Sequence, residues 1–164
     1  MTQAEQVGPV ENAVGYVLKE ASVALRNAMD AVLRPLSLTV PQYSCLELLG
    51  QRPGLSNAEL ARGTFVTRQS MNVVLQGLET RGLVTRPATA ARGRELPAVL
   101  TEKGREHLYA ASAAVRGVEK RMCADLSPAR QRELLDTLAA FVRNLAAAQP
   151  GSDGTTEAPT SSGS

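Results

Sequence analysis

A mainly α chain carrying one small β-hairpin is what this sequence predicts, and three observations predict it. Apolar residues make up 43% of the 164, yet there is no Trp and only three Tyr and two Phe. The core must therefore be built from Leu, Val and Ala, which favours helices over sheets. Apolar residues recur at spacings of three and four along most of the chain. One stretch, residues 83–100, breaks that rhythm into two strand-like runs around a loop rich in small residues and arginine. At this length the chain is one ordinary domain, or one domain with tails.

Residues 1–9 are polar, end in Gly8-Pro9 and read as a flexible N-terminus. Val10, Val14, Val17, Leu18, Ala21, Leu25, Ala28, Met29, Val32 and Leu33 then mark an amphipathic helix that Pro35 ends. Thr39 caps the next helix, with Gln42 as its capping-box partner. Tyr43, Leu46, Leu48 and Leu49 supply the core face, and Gly50 with Pro53-Gly54 stops the helix. Ser56 and Glu59 form a second capping box, opening a short helix to Arg62 that Gly63 breaks. Thr67 opens a third helix, running to Arg81 with Gly82 in the C-terminal capping position. Two short helices joined by a few residues that include a glycine make a helix-turn-helix candidate.

Beyond Gly82 the period changes. Leu83–Arg86 is strand-like, 87–94 loop-like, and Leu96, Ala98 and Leu100 alternate with Pro97 and Val99 as a return strand. Pro97 cannot donate to a ladder, but a two-stranded hairpin consists only of edges. Thr101 caps a long helix with the stripe Gly104, Leu108, Ala111, Val115, Val118 and Met122. Ser127-Pro128 starts a last helix with Leu134, Leu135, Leu138, Phe141, Val142 and Leu145. The final stretch can bury nothing and is expected to be disordered. The long flanking helices carry more apolar surface than a winged helix-turn-helix of roughly 60 residues can cover, so they are expected to cover one another in a homodimer. The expected organisation is a flexible 1–9, a dimerisation helix 10–36, a winged helix-turn-helix domain 37–101, dimerisation helices 102–148 and a disordered tail 149–164.

Between residues 67 and 94 stand five arginines (Arg68, Arg81, Arg86, Arg92, Arg94) against one acid, Glu79, a local excess of four positive charges that points to a polyanionic partner. On a helical wheel Met71, Val74, Leu75 and Leu78 share one face of the third helix, while Gln69, Asn72, Val73, Gln76 and Thr80 share the other. An uncharged face of amides and small apolar groups suits base edges in a major groove, with Gln and Asn pairing adenine and Thr and Val meeting thymine methyls. Arg68, in the first turn, suits a phosphate. The same face would also serve a merely solvated helix, and the arginine-tipped hairpin that follows favours DNA. The candidate DNA-contacting residues are Thr67, Arg68, Gln69, Ser70, Asn72, Val73 and Gln76, with Arg86, Arg92, Gly93 and Arg94 from the hairpin.

The segments "LTVPQYSCLELL", "LSNAELARGTFVTRQSMNVVLQGLETRGLV" and "LTEKGR" appear in that order around the hairpin. In them the chain resembles the multiple-antibiotic-resistance regulator (MarR) family over roughly residues 10–148. The resemblance implies a dimeric winged helix-turn-helix transcription factor, usually a repressor, on a pseudo-palindromic double-stranded operator. Residues 67–81 would be its recognition helix and 83–101 its wing. Family members often carry an Asp two residues before the wing arginine; here Arg92 occupies that place and Arg94 keeps the arginine. The tip thereby gains a cation and loses an internal clamp. Arg94 would enter a narrow minor groove, with Arg92 on phosphate.

Many relatives respond to small aromatic acids bound where the dimer helices meet the DNA-binding domain. Near that junction Tyr16, Arg26, Tyr43 and His107 are the conspicuous groups, although each also reads as an ordinary packed or solvated residue. Other relatives sense peroxides through a cysteine near the end of the first helix, and residues 10–36 contain none. Cys45 and Cys123 read first as small buried hydrophobes, with redox sensing as the alternative. A single histidine argues against zinc, and no cofactor is expected.

No Gly-rich phosphate loop, Ser/His/Asp arrangement or metal-spaced cluster is present, so an enzyme is not expected. The rival from another class is a winged helix used only for protein docking, whose tip should be apolar or mixed rather than doubly basic. With neither a secretion signal nor about 18 uninterrupted apolar residues, the chain reads as soluble, cytoplasmic and without a membrane partner.

Overall fold

The computed structural model describes residues 1–87 and 97–147. Its elements, in order, are α1 (Gln3–Val7), α2 (Val14–Leu33), α3 (Val40–Gln51), α4 (Asn57–Thr64), α5 (Arg68–Thr80), β1 (Val84–Thr85), β2 (Val99–Leu100), α6 (Glu102–Met122) and α7 (Pro128–Ala147). They fall into two compact units, Met1–Met122 and Cys123–Ser164, a division inside the segment 102–148 that the sequence groups together.

Two features of the N-terminal region differ from the sequence reading. Residues 1–9 contain a helical turn, α1, where Thr2 donates through its backbone N–H (2.6 Å) and hydroxyl (3.0 Å) to the Glu5 carboxylate. The long helix starts at Val14 rather than Val10, because Val10–Asn12 form a 3-10 turn and Ala13 is extended, without a side-chain cap. Arg34–Leu36, with Pro35 inside it, form the 3-10 turn that closes α2, and left-handed Ser37 (φ 54°) turns the chain toward α3.

Local chemistry sets the next three helix starts. The Thr39–Gln42 and Ser56–Glu59 capping boxes are closed in both directions, and Thr67 Oγ1 accepts from the Ser70 N–H at 3.0 Å. The two bonds from Ser56 hold the Glu59 carboxyl below the usual glutamate range. Gly63 does not break α4. The helix runs on to Thr64, whose buried hydroxyl donates to the Leu60 carbonyl at 2.8 Å. A Cβ at Gly63 would lie 2.6 Å from Leu48 Cδ1, so the residue is a packing glycine under α3.

One core runs through the first unit: Leu33, Leu38, Leu46, Leu49, Leu60, Met71, Leu75, Leu78, Leu83, Val84, Leu100 and Ala111 are buried together. The hairpin is shorter than the sequence suggests, two residues per strand, antiparallel with Val84 opposite Leu100 and Thr85 opposite Val99. Thr101 ties it to the helices: its hydroxyl donates to the Gly82 carbonyl (2.6 Å) and accepts from the Gly104 N–H (2.9 Å), capping α6. Of the α6 stripe, Gly104, Ala111 and Val118 are buried and Leu108 and Val115 pack against the core, but Met122 is exposed in the single chain. In the second unit α7 buries no residue, and Leu134, Leu135, Val142 and Leu145 are exposed. Val14, Tyr16, Val17, Leu18 and Val23 of α2 are exposed as well.

Candidate nucleic-acid interface and ligand cavity

α5 presents two chemically distinct faces. Met71, Leu75 and Leu78 are buried and Val74 packs against the core. Gln69, Ser70, Asn72, Val73 and Gln76 are all exposed, with Val73 66% accessible despite its apolar side chain. Thr67 and Ser70 are engaged in the cap, the Thr67 hydroxyl also donating to Ser70 Oγ at 3.0 Å. Two unbroken turns of α5 thus carry amide and apolar groups into solvent from a fixed helix.

Asn57, not among the residues expected from sequence, joins this face. Its Nδ2 donates to Asn72 Oδ1 at 2.7 Å, linking the start of α4 to the exposed side of α5. Asn57 Oδ1 is buried and has no partner among the described residues. One of the two acceptor positions of Asn72 Oδ1 is therefore used inside the motif, which fixes the orientation of the amide and leaves its Nδ2 donors to solvent.

The arginines divide into different roles. Arg81 donates to the carbonyls of Ser37 and Leu36, pinning the end of α5 to the turn after α2. Arg86 pairs with Glu79 at 2.9 Å. Arg68 is exposed in the first turn of α5 and borders, with Arg86 and Asn57, a cleft of about 270 Å³ at the root of the hairpin. Arg92, Gly93 and Arg94 lie outside the described residues.

A larger cavity of about 480 Å³ opens where α3 and β2 meet α6. Leu49, Leu100 and Leu108 form part of its apolar wall, and its polar groups include Glu47, Arg105, Tyr109, Ser112 and Arg116. The Glu47 carboxylate accepts from Ser112 Oγ at 2.7 Å, from the Tyr43 hydroxyl at 3.4 Å and from Gln51 Nε2. Arg105 Nη1 donates to the Leu100 carbonyl of β2 at 3.3 Å. Burial pushes the Tyr43 hydroxyl above the ordinary tyrosine range, an effect the nearby Ser112 hydroxyl opposes.

Of the four ligand residues expected from sequence, Tyr43 reaches this cavity through Glu47. Tyr16 and Arg26 lie exposed on α2, and His107 Nδ1 sits 3.2 Å from the Lys103 carbonyl; none of the three lines the cavity. The polar lining of α6 was readable in principle, since 105, 109, 112 and 116 follow one helical face. Cys45 is fully buried, and burial pushes its thiol up to about 12, so it stays neutral; Cys123 is half-buried.

Comparison with known proteins is consistent along most of the chain. A family model described as MarR family matches residues 36–95. The HTH-type transcriptional repressor Rv2887 of Mycobacterium tuberculosis is 48% identical over 120 residues, covering 73% of this chain and 86% of the relative. A crystal structure of Rv2887 with salicylic acid aligns with a TM-score of 0.64 at 46% identity, over 78% of this chain and 95% of that one. Rv2887 with DNA aligns at 0.65 and 44% identity, over 78% and 96%. The transcriptional repressor CouR on a 23-mer DNA duplex aligns at 0.75 and 29% identity, over 87% and 99%.

Proposed function

The chain belongs to the MarR family of transcriptional regulators, and from that membership we propose that it acts in the cytoplasm as a homodimeric repressor of a pseudo-palindromic operator, released by a small aromatic acid. The observation that carries this reading is the exposed Gln69, Asn72, Val73 and Gln76 face of α5, set on a helix whose other side is locked into the core. Arg68 would add a phosphate contact, and the sequence supplies further cations for phosphate in Arg86, Arg92 and Arg94. The apolar residues exposed on α2, and separately those on α7, are candidates for cover by a second copy. Relatives solved with DNA and with salicylic acid support both halves of the proposal. The cavity between α3, β2 and α6 is the ligand site we favour, because it touches β2 and so adjoins the wing.

The test is operator binding by fluorescence anisotropy, using DNA upstream of the chain's own gene over a range of salt. Tight binding with a steep salt dependence is expected, and Arg94→Ala should weaken it and lower the salt slope by about one. Absence of any salt-dependent binding would favour the protein-docking alternative.

A further inference from the structure

Arg81 is the C-cap of α5, and its guanidinium reaches 44 and 45 positions back along the chain to donate to the carbonyls of Ser37 and Leu36. Both carbonyls belong to the turn that closes α2. Leu33 and Leu38 flank that turn, Leu78 and Leu83 flank Arg81, and all four are buried, so both ends of the link are anchored in the core. On the other side, Lys103 Nζ of α6 donates to the Arg81 carbonyl at 3.1 Å, and the Thr101 hydroxyl donates to the next carbonyl, that of Gly82. One residue thus joins the last turn of α5 to the end of α2 and the start of α6. The bond from Asn57 to Asn72 stays inside the helix-turn-helix, whereas the bonds of Arg81 lead out of it.

The planar fork of a guanidinium on two neighbouring carbonyls fixes an angle as well as a distance, which the point charge of a lysine does not. The angle matters because α5 is a lever. Its 13 residues extend about 20 Å from Arg81 to the first turn. A tilt of roughly 10° about the clamp would carry Arg68 and Gln69 sideways by about 3.4 Å, the length of one base-pair step. In a homodimer on a pseudo-palindrome the two recognition helices meet half-sites about 34 Å apart. Whatever fixes α5 relative to the helices that join the two copies therefore fixes that distance.

We propose that Arg81 is a positioning residue that sets the half-site spacing of the operator, by holding the end of α5 at one angle to the end of α2. The inference rests on the homodimeric repressor reading and adds to it the residue that measures the operator. It also takes Arg81 out of the phosphate-contacting surface, since its donors are committed to backbone.

Anisotropy titrations of the full chain test this on three duplexes: the natural operator, mapped by footprinting in DNA upstream of the chain's own gene, and versions with one base pair inserted or removed at its centre. The natural protein should lose about tenfold or more in affinity on both altered duplexes. Arg81→Gln should weaken binding to the natural spacing about tenfold, change binding to the altered duplexes by less than about threefold, and leave the salt slope unchanged because no phosphate contact is lost. Arg81→Lys should fall between the two. Melting curves and sedimentation without DNA verify that each variant folds and dimerises; should Arg81→Gln fail to fold, Arg81→Lys carries the same comparison. A merely structural role would lower the melting temperature and weaken all three duplexes equally, and that result overturns the proposal. A salt slope lowered by about one would assign Arg81 to phosphate and overturn it too, as would a natural protein indifferent to spacing. Absence of any binding in the upstream DNA defeats the repressor reading instead.

Discussion

Arg86 Nε and Glu79 Oε2 lie 2.9 Å apart, joining the segment just after β1 to the last turn of α5. The pair holds an arginine expected to face DNA on the only acid between residues 67 and 94. Both side chains are partly exposed, so the bridge contributes little to stability, about 0–1 kcal/mol. A larger effect is expected on DNA binding, where Glu79 would repel phosphate and hold Arg86 back from it. Glu79→Gln should leave the melting temperature nearly unchanged, tighten DNA binding severalfold at low salt and steepen the salt slope by up to about one. Anisotropy titrations at several salt concentrations check this, and an unchanged slope would show that Arg86 never meets phosphate.

Gly104 sits under the hairpin where no side chain fits. A Cβ there would overlap the Leu83 carbonyl oxygen, which itself accepts the Thr101 N–H at 3.1 Å. The obstructing atoms are Leu83 backbone, so no flexible side chain can simply move aside. Gly104→Ala should cost about 3 kcal/mol, lowering the melting temperature by roughly 10 °C in a chain of this size. It should also loosen the hairpin root, read as faster hydrogen exchange at the Thr101 amide.

The helix starts and the two faces of α5 were legible because their causes are local. A Thr or Ser three residues before Gln or Glu, and apolar residues every three or four positions, act within a turn or two. Gly63 shows where such reasoning stops: by sequence it breaks a helix, whereas Leu48 of α3 packs against it. Arg81 and Arg86 counted toward a basic surface, yet their partners, Ser37 and Leu36 for one and Glu79 for the other, come from different turns of the chain. The cavity was missed for a similar reason. Arg105, Ser112 and Arg116 lie on the polar side of α6, and only the approach of α3 and β2 turns that side into a wall.

Phe65 occupies the left-handed region at φ 60° and is 94% exposed. It closes α4, while the neighbouring Val66 makes the packing contact with the core. The ring thus gains no burial in the single chain, and the backbone conformation is one that glycine adopts without a Cβ penalty. Phe65→Gly should raise stability by about 0.5–1 kcal/mol after allowing for the greater freedom of glycine in the unfolded chain. Urea melts resolve a change of this size; a loss of stability would mean that the ring packs against something in the assembled protein.

Glu59 supplies a pH dependence of known sign. Its carboxyl is held below the usual glutamate range by the Ser56 bonds, so its stabilisation is present above the unfolded-state value and disappears as pH falls through the folded one. Glu59→Gln preserves an acceptor for the Ser56 N–H but does not titrate. The difference in stability between the two proteins should be greatest near neutral pH and shrink steadily below the ordinary glutamate range. Paired denaturant titrations from neutral to strongly acidic pH follow it directly, and a difference independent of pH would remove Glu59 as the cause.

The bond from Asn57 Nδ2 to Asn72 Oδ1 makes the two helices of the motif interdependent. Replacing either residue with Ala removes the same bond, and the second replacement then has less left to remove. A double-mutant cycle on operator affinity with Asn57→Ala and Asn72→Ala should therefore be non-additive, with a coupling of about 1 kcal/mol. Asn57→Ala should also relax discrimination at whichever base pair Asn72 meets, because the freed amide can rotate. The cycle is measured on the operator and on single-base variants of it. Strict additivity would mean that Asn57 acts on its own through DNA and does not orient Asn72.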